Sequence, residues 1–314
     1  MIVRIENYTD MLRRVHQIGI ACALKKLKHA IFMDADTRNI CALNGAYDYL
    51  MRYKKALQTD IAEYKSEPAQ KVIWTCWLQG MENAPELVKR CIESMCQYAN
   101  GYKVEVIDLN NVSQFVQLPD FVILKYKAGI IPHAHFSDMI RLALLEKYGG
   151  VWIDSTILLT DVLPDYIVDA DMFVFRGSGL GHACIYNPFL AAKPHHPIIQ
   201  SMQQLLYAYW EKENKLVSYS IFHLFFSITI EQSRLNQSLW NEVPNVSGTQ
   251  MFYFQSRLGK PYSEKAYQLA TQLSSLHKLT YKYKEFGIDI SKKGTFYDVL
   301  INGQATNTNA NSAL

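Results

Sequence analysis

Apolar and polar residues alternate with three different rhythms along this chain. Over residues 11–31, Leu12, Val15, Ile18, Ile20, Leu24 and Leu27 are interleaved with Arg13, Arg14, Lys25, Lys26 and Lys28, the pattern of an amphipathic basic helix. Residues 46–64 form a second helical stretch, which Ser66, Glu67 and Pro68 break. From Lys71 the rhythm becomes one of alternating strands and helices. Residues 72–77 are an apolar run suited to a buried strand, 84–98 read as a helix with Pro85 in its first turn, and 102–108 alternate as a strand. Residues 120–126 are too short a run to assign, 172–175 read as another strand, and 195–211 and 220–234 read as aromatic-rich helices. After about Lys292 the composition turns polar, and residues 291–314 are expected to form a disordered tail. The chain thus divides into a helical extension over 1–67, an α/β domain over 68–290 and that tail.

Residues 137–156 hold the densest chemistry. Ser137 is a candidate N-cap, and Met139, Ile140, Leu142, Ala143, Leu144 and Leu145 give the following helix a broad buried face. Asp138 and Arg141 stand three apart and so share one face of it. Lys147 suits the negative C-terminal end, and Gly149 or Gly150 can take the positive-φ conformation that stops a helix. Val151, Trp152 and Ile153 then form a strand too apolar to face water, and Asp154 sits where the chain leaves the sheet. An acid delivered by a strand end, beside a helix bearing an acid and a base, builds a polar site where open α/β sheets bind ligands.

The motifs Ser-Asp-x-x-Arg and Tyr-Gly-Gly-x-Trp-x-Asp-Ser-Thr in this block resemble those of the capsular polysaccharide synthesis proteins. These belong to a wider group of GT-A glycosyltransferases that includes the yeast-type initiating mannosyltransferases and the clostridial glucosylating toxins. The resemblance extends upstream to residues 71–80, similar to the family's first strand, and downstream through 187–197 to 277–282. It implies a GT-A fold, a Rossmann-like, nucleotide-sugar-binding mixed sheet flanked by helices. It also implies transfer of a sugar from a UDP- or GDP-sugar to a glycan or lipid-linked oligosaccharide of a surface polysaccharide, with retention of anomeric configuration.

Breaking the bond between an anomeric carbon and a diphosphate loads negative charge on the leaving group, which a cation must meet. The resemblance supplies Mn²⁺ or Mg²⁺, held at an Asp-x-Asp motif. Asp154 matches the first acid; Thr156 stands where many relatives have the second, so His277 is the candidate that completes the metal sphere. His277 reads equally well as an exposed histidine at a helix end. By the same resemblance Asp138 and Arg141 hold the donor sugar, and Lys282 or Lys278 meets the diphosphate. Trp74, Thr75, Cys76, Gly149, Gly150 and Trp152 fall along the donor's nucleotide or in the core. Asn187 and His223 are candidate acceptor contacts.

Composition narrows the alternatives. A net charge of +3 and the lack of a basic recognition motif give no argument for nucleic acid. The 20 Tyr, 14 Phe and 5 Trp suit sugar stacking, although aromatics are mostly core. Six cysteines without Cys-x-x-Cys spacing suggest free thiols in a reducing compartment. With no signal-peptide pattern and no apolar run of membrane-span length, the expectation is a cytoplasmic protein, soluble or peripheral on the inner membrane face. The basic segment over 11–31 either packs on its own domain or touches an anionic leaflet. Two other classes fit single features: a metal-dependent hydrolase using His133, His135, Asp138, His182, His195 and His196, and a catalytically silent sugar-nucleotide or glycan-binding module with Thr156 in place of an acid.

Overall fold

A computed structural model describes residues 35–57, 64–177 and 185–303. Its first element, α1 (Ala35–Leu50), runs into a 3-10 turn at Met51–Ala56. Next come β1 (Val72–Cys76), α2 (Glu86–Gln97) and β2 (Lys103–Ile107), as the alternation predicts. The unassigned run becomes α3 (Asp120–Lys127), and α4 (His133–Tyr148) leads into β3 (Gly150–Ile153). They are followed by β4 (Ile157–Leu159), β5 (Met172–Arg176), β6 (Ile185–Ala192), α5 (Pro197–Lys212), α6 (Ile221–Glu231) and α7 (Arg234–Glu242). Last are α8 (Glu264–Leu273), β7 (Leu276–Lys278) and α9 (Phe296–Asn302).

Five strands form a mixed sheet in the order β2-β1-β3-β6-β5, and β4 pairs with β7 in a separate two-stranded ribbon. β1 runs parallel to β2 and β3, whereas β6 runs antiparallel to β3 and β5. Helices cover both faces, so β1, β3 and β5 are apolar at almost every position. Trp74, Trp152, Val174 and Leu190 meet one cluster with α4, α5 and α6; Ile73, Val151, Ile153 and Phe173 meet another with Val88, Ile92 and Met95 of α2. The mixed sheet with flanking helices agrees with the α/β class expected of a GT-A enzyme.

The block that carries the motifs folds nearly as read. α4 begins one turn before Ser137, because Pro132 takes the N-cap position with φ −64° and its carbonyl accepts the first helical bond from Phe136. A proline there forgoes an N–H that would have no partner. Gly149 (φ 64°) and Gly150 (φ 97°) turn the chain into β3. The turn is also tight: a Cβ on Gly150 would lie 2.7 Å from the Val72 carbonyl.

Three segment expectations need correction. The described end of the extension is part of the main core, since Leu50, Tyr53 and Leu57 join the cluster containing Trp152, and Tyr53 meets Tyr209 and Phe225 edge-on. The helix read over 220–234 is α6, which stops at Glu231, because Ser233 accepts a hydrogen bond from the Asn236 N–H and caps α7 anew. Residues 291–303 are not a disordered tail, because Thr295 caps α9, which buries Phe296, Tyr297, Leu300 and Ile301 beside Phe254 and Leu258. The amphipathic segment over 11–31 and residues 304–314 lie outside the described residues.

Candidate active site

β1 and β3 lie parallel and end at the same edge of the sheet, where a cleft of about 560 Å³ opens. Its floor is Cys76, Trp152 and Asp154; one wall is the first two turns of α4, the other is the segment after β7. Asp154 is its hub. Oδ1 accepts hydrogen bonds from Arg141 Nη2 and from Trp152 Nε1, each at 3.0 Å, and Oδ2 accepts from Lys278 Nζ at 3.0 Å. Lys278 Nζ also donates to Thr156 Oγ1 at 2.6 Å. Arg141, only 4% exposed, reaches back to Asp138 Oδ1 at 3.0 Å, and His135 Nδ1 lies 3.6 Å from Asp138 Oδ2. The guanidinium also lies over two aromatic rings, that of Trp152 at 4.8 Å and that of Phe222 at 5.4 Å.

Local folding explains this convergence. The three-residue spacing on α4 puts Asp138 and Arg141 on the face that looks over the end of β3. Ile157 pairs with Lys278 across the β4–β7 ribbon, and the Leu279 N–H donates to the Thr156 carbonyl at 2.8 Å. Lys278 is thereby pinned beside residue 156.

Of the residues singled out from sequence, Cys76, Asp138, Arg141, Trp152, Asp154, Thr156, Asn187, His223 and Lys282 line the cleft together. Five others do not. Trp74 is buried in the middle of β1, donating its Nε1–H to the Gly149 carbonyl at 2.9 Å, and Thr75 is buried beside it. Gly149 and Gly150 sit at the opposite end of β3 from Asp154, where their lack of a Cβ lets the strand pack closely. His277 is fully buried with its ring 4.3 Å from that of Phe254, and its Nε2 shares a 3.0 Å hydrogen bond with Thr160 Oγ1. Successive residues of a strand point to opposite faces, so Lys278 looks into the cleft and His277 looks away.

The cleft also holds His133 and His135, read from sequence as part of a hydrolase centre; His135 lies one turn before Asp138 on α4. Sequence reading gave no sign of the exposed aromatic rings there. Tyr219, Tyr281 and Phe286 stand exposed at its mouth, Tyr219 at 76%. No periodic pattern marks them, because each sits outside a helix or strand. The remaining hydrolase candidates are elsewhere: His195 pairs with Glu146 at 2.9 Å and buried His196 caps α5. His182 lies outside the described residues.

A family model described as capsular polysaccharide synthesis protein matches residues 44–300, most of the chain. The chain belongs to this family. "Glycosyltransferase afumC" of Aspergillus fumigatus is 29% identical over 175 residues, 49% of this chain and 44% of the relative. "Probable glycosyltransferase FCK3" of Fusarium pseudograminearum is 26% identical over 166 residues, 48% of this chain and 42% of the relative. The aligned part therefore spans less than half the length of these two proteins. Among solved structures, "PaToxG Glycosyltransferase" is 19% identical with a TM-score of 0.39, covering 80% of this chain and 94% of that one.

A divalent cation held at Asp154, as the motif resemblance implies, would meet oxygens that are already engaged. Both oxygens of Asp154 already accept from N–H donors, residue 156 offers a hydroxyl, and among the described residues no three His, Cys, Asp or Glu side chains converge on a point. Burial alone would raise the Asp154 carboxyl; Lys278, Arg141 and the Trp152 N–H outweigh it and hold the group below the usual carboxylate range. Burial pushes the Cys76 thiol up to about 12, so it lines the floor as a neutral group.

Proposed function

We propose that this chain is a glycosyltransferase that moves a sugar from a UDP- or GDP-sugar to a saccharide acceptor, with the Asp138–Arg141–Asp154 cleft as its donor site. One observation carries the reading. In a chain of this family, the strand-end acid Asp154 is locked by Arg141, Trp152 and Lys278 at the floor of a ligand-sized cleft.

The division of labour follows from the geometry. Asp154 presents a fixed acceptor for a ribose or sugar hydroxyl, and Asp138 a second one. Arg141 bridges the two acids, so a donor that touches either finds the other at a set distance. Both carboxylates are held in ion pairs, which makes each a poor covalent nucleophile. That supports a front-face course, in which the acceptor oxygen bonds to the anomeric carbon as the diphosphate leaves and takes the acceptor's proton. Such a course retains configuration. Asn187 and His223, with the exposed rings of Tyr219, Tyr281 and Phe286, provide the acceptor side, where rings stack on sugar faces and polar tips sort hydroxyls. A lipid-linked polysaccharide acceptor and peripheral contact with a membrane remain part of this reading, supported by the basic, apolar pattern over 11–31. No helix of the described residues is long and apolar enough to cross a membrane.

The test is nucleotide release from a panel of UDP- and GDP-sugars, with wild type and Asp154→Ala side by side. Release from one donor, at least about 100-fold slower in the variant, supports the proposal. Donor binding with no turnover, even when glycan acceptors are added, would point instead to a silent binding module.

A further inference from the structure

A carboxylate at a strand end normally needs a partner cation if it is to help a diphosphate depart. Here a lysine ammonium stands at that point. Lys278 Nζ lies 3.0 Å from Asp154 Oδ2 and 2.6 Å from Thr156 Oγ1, so the ammonium sits between the strand-end acid and the residue two further on. The β4–β7 register holds it there: Leu159 faces Leu276, Leu158 faces His277, Ile157 faces Lys278, and the Leu279 N–H continues the ladder to the Thr156 carbonyl. The His277 ring on the other face is anchored by Thr160 and Phe254, which prevents the strand from rolling over. Lys278 is also mostly buried, its side chain 19% exposed, and desolvation strengthens its pull on an approaching anion.

A divalent cation at the same point would take from the protein one carboxylate oxygen and one hydroxyl, leaving diphosphate oxygens and water to complete a near-octahedral shell, and both of those protein oxygens already accept from the ammonium. It would also have to expel the ammonium and leave two positive centres as neighbours. Residue 156 is matched to its partner: a hydroxyl accepts a hydrogen bond from an ammonium, whereas a second carboxylate would favour a metal.

We infer that Lys278 replaces the divalent metal of this site, its ammonium meeting the charge of the leaving diphosphate, so that sugar transfer by this chain is independent of metal. The inference rests on the donor-site reading proposed above. In the step, the bond between the anomeric carbon and the diphosphate oxygen breaks with both electrons going to that oxygen, beside Lys278 Nζ. The acceptor oxygen forms the new bond to the anomeric carbon, and its proton passes to the diphosphate.

Two measurements on the full chain decide the matter. The first is Mn²⁺ titration followed by electron paramagnetic resonance, with protein alone, UDP alone and both together. The expected result is no loss of the free Mn²⁺ signal beyond that caused by UDP alone; a protein-held Mn²⁺ that Asp154→Asn abolishes would overturn the inference. It needs no active donor, so it remains decisive even if the panel shows no turnover and the donor-site reading fails. The second is donor consumption in EDTA against Mn²⁺. Rates within about twofold of each other are expected, with Lys278→Ala and Lys278→Met each about 100-fold slower and Lys278→Arg intermediate. Loss of turnover in EDTA with recovery in Mn²⁺, or full activity in a folded Lys278→Met protein, would refute the role of Lys278 while leaving the transferase reading intact. A Thr156→Asp/Lys278→Ala double variant is expected to bind Mn²⁺ where the wild type does not, and continued absence of binding would count against the replacement.

Discussion

His277 distinguishes a buried structural histidine from a ligand-binding one, and its behaviour can be calculated. Burial holds its ring at a pKa of about 4, against 6.5 in an exposed setting. Between those values the unfolded chain binds a proton that the folded chain refuses, so stability falls as pH drops from 6.5 toward 4. Linkage gives a loss of about 0.2 kcal/mol at pH 7 and about 2 kcal/mol at pH 5 for such a group. His196, likewise buried and held at about 4, adds a similar loss that is independent of His277. His277→Phe keeps a ring against Phe254, gives up the Thr160 hydrogen bond at a cost of about 1 kcal/mol at pH 7, and cannot titrate. Urea denaturation of both proteins at pH 7 and pH 5 is the assay. The wild type should lose about 2 kcal/mol more than the variant over that interval. Equal losses in the two proteins would show that His277 is not held neutral inside the fold. Donor consumption of the variant at pH 7 is expected within about threefold of wild type, and its abolition in a folded protein would return His277 to the site.

Further outcomes follow from the same geometry. Arg141→Lys keeps the charge but cannot bridge Asp138 and Asp154 together, so donor turnover should fall by about 100-fold while the melting temperature shifts little. Gly150→Ala places a Cβ 2.7 Å from the Val72 carbonyl at φ 97°, and denaturation should show a loss of at least about 2 kcal/mol. Because Gly150 lies away from the cleft, the KM for donor of whatever folds should match wild type. Phe296→Ala should cost about 3–5 kcal/mol by the same denaturation assay, since the ring is fully buried against Phe254, whereas a disordered tail would lose nothing.

Much of this architecture could be read from local rhythm. The apolar runs of β1 and β3 and the α4 face carrying Asp138 and Arg141 depend on side chains a few positions apart, which the sequence displays directly. The features that escaped depend on register or on distant partners. His277 and Lys278 are neighbours in a three-residue strand, and only its pairing with β4 decides which of them faces the cleft. Gly149 and Gly150 belong to the motif in sequence, yet β3 carries them to its far end from Asp154, where they pack closely against Val72 and Ala192. α9 was hidden because it is a short helix flanked by polar residues; the value of its apolar side chains becomes apparent only against Phe254 and Leu258, about 40 residues earlier. The family motifs fall on the floor of the cleft and on its α4 wall, whereas the rings of Tyr219, Tyr281 and Phe286 at its mouth sit in irregular segments that no periodic pattern marks.

The central claim is that a sugar nucleotide binds over Asp154, and a crystal structure of the protein soaked with UDP and with GDP tests it most directly. The account predicts the ribose or diphosphate within hydrogen-bonding distance of Asp154 and Lys278, with the Trp152 side chain beneath. Nucleotide bound elsewhere, for example in the 340 Å³ cavity lined by Tyr166, Asp171 and His196 at the other end of the sheet, with the Asp154 cleft empty, would contradict it.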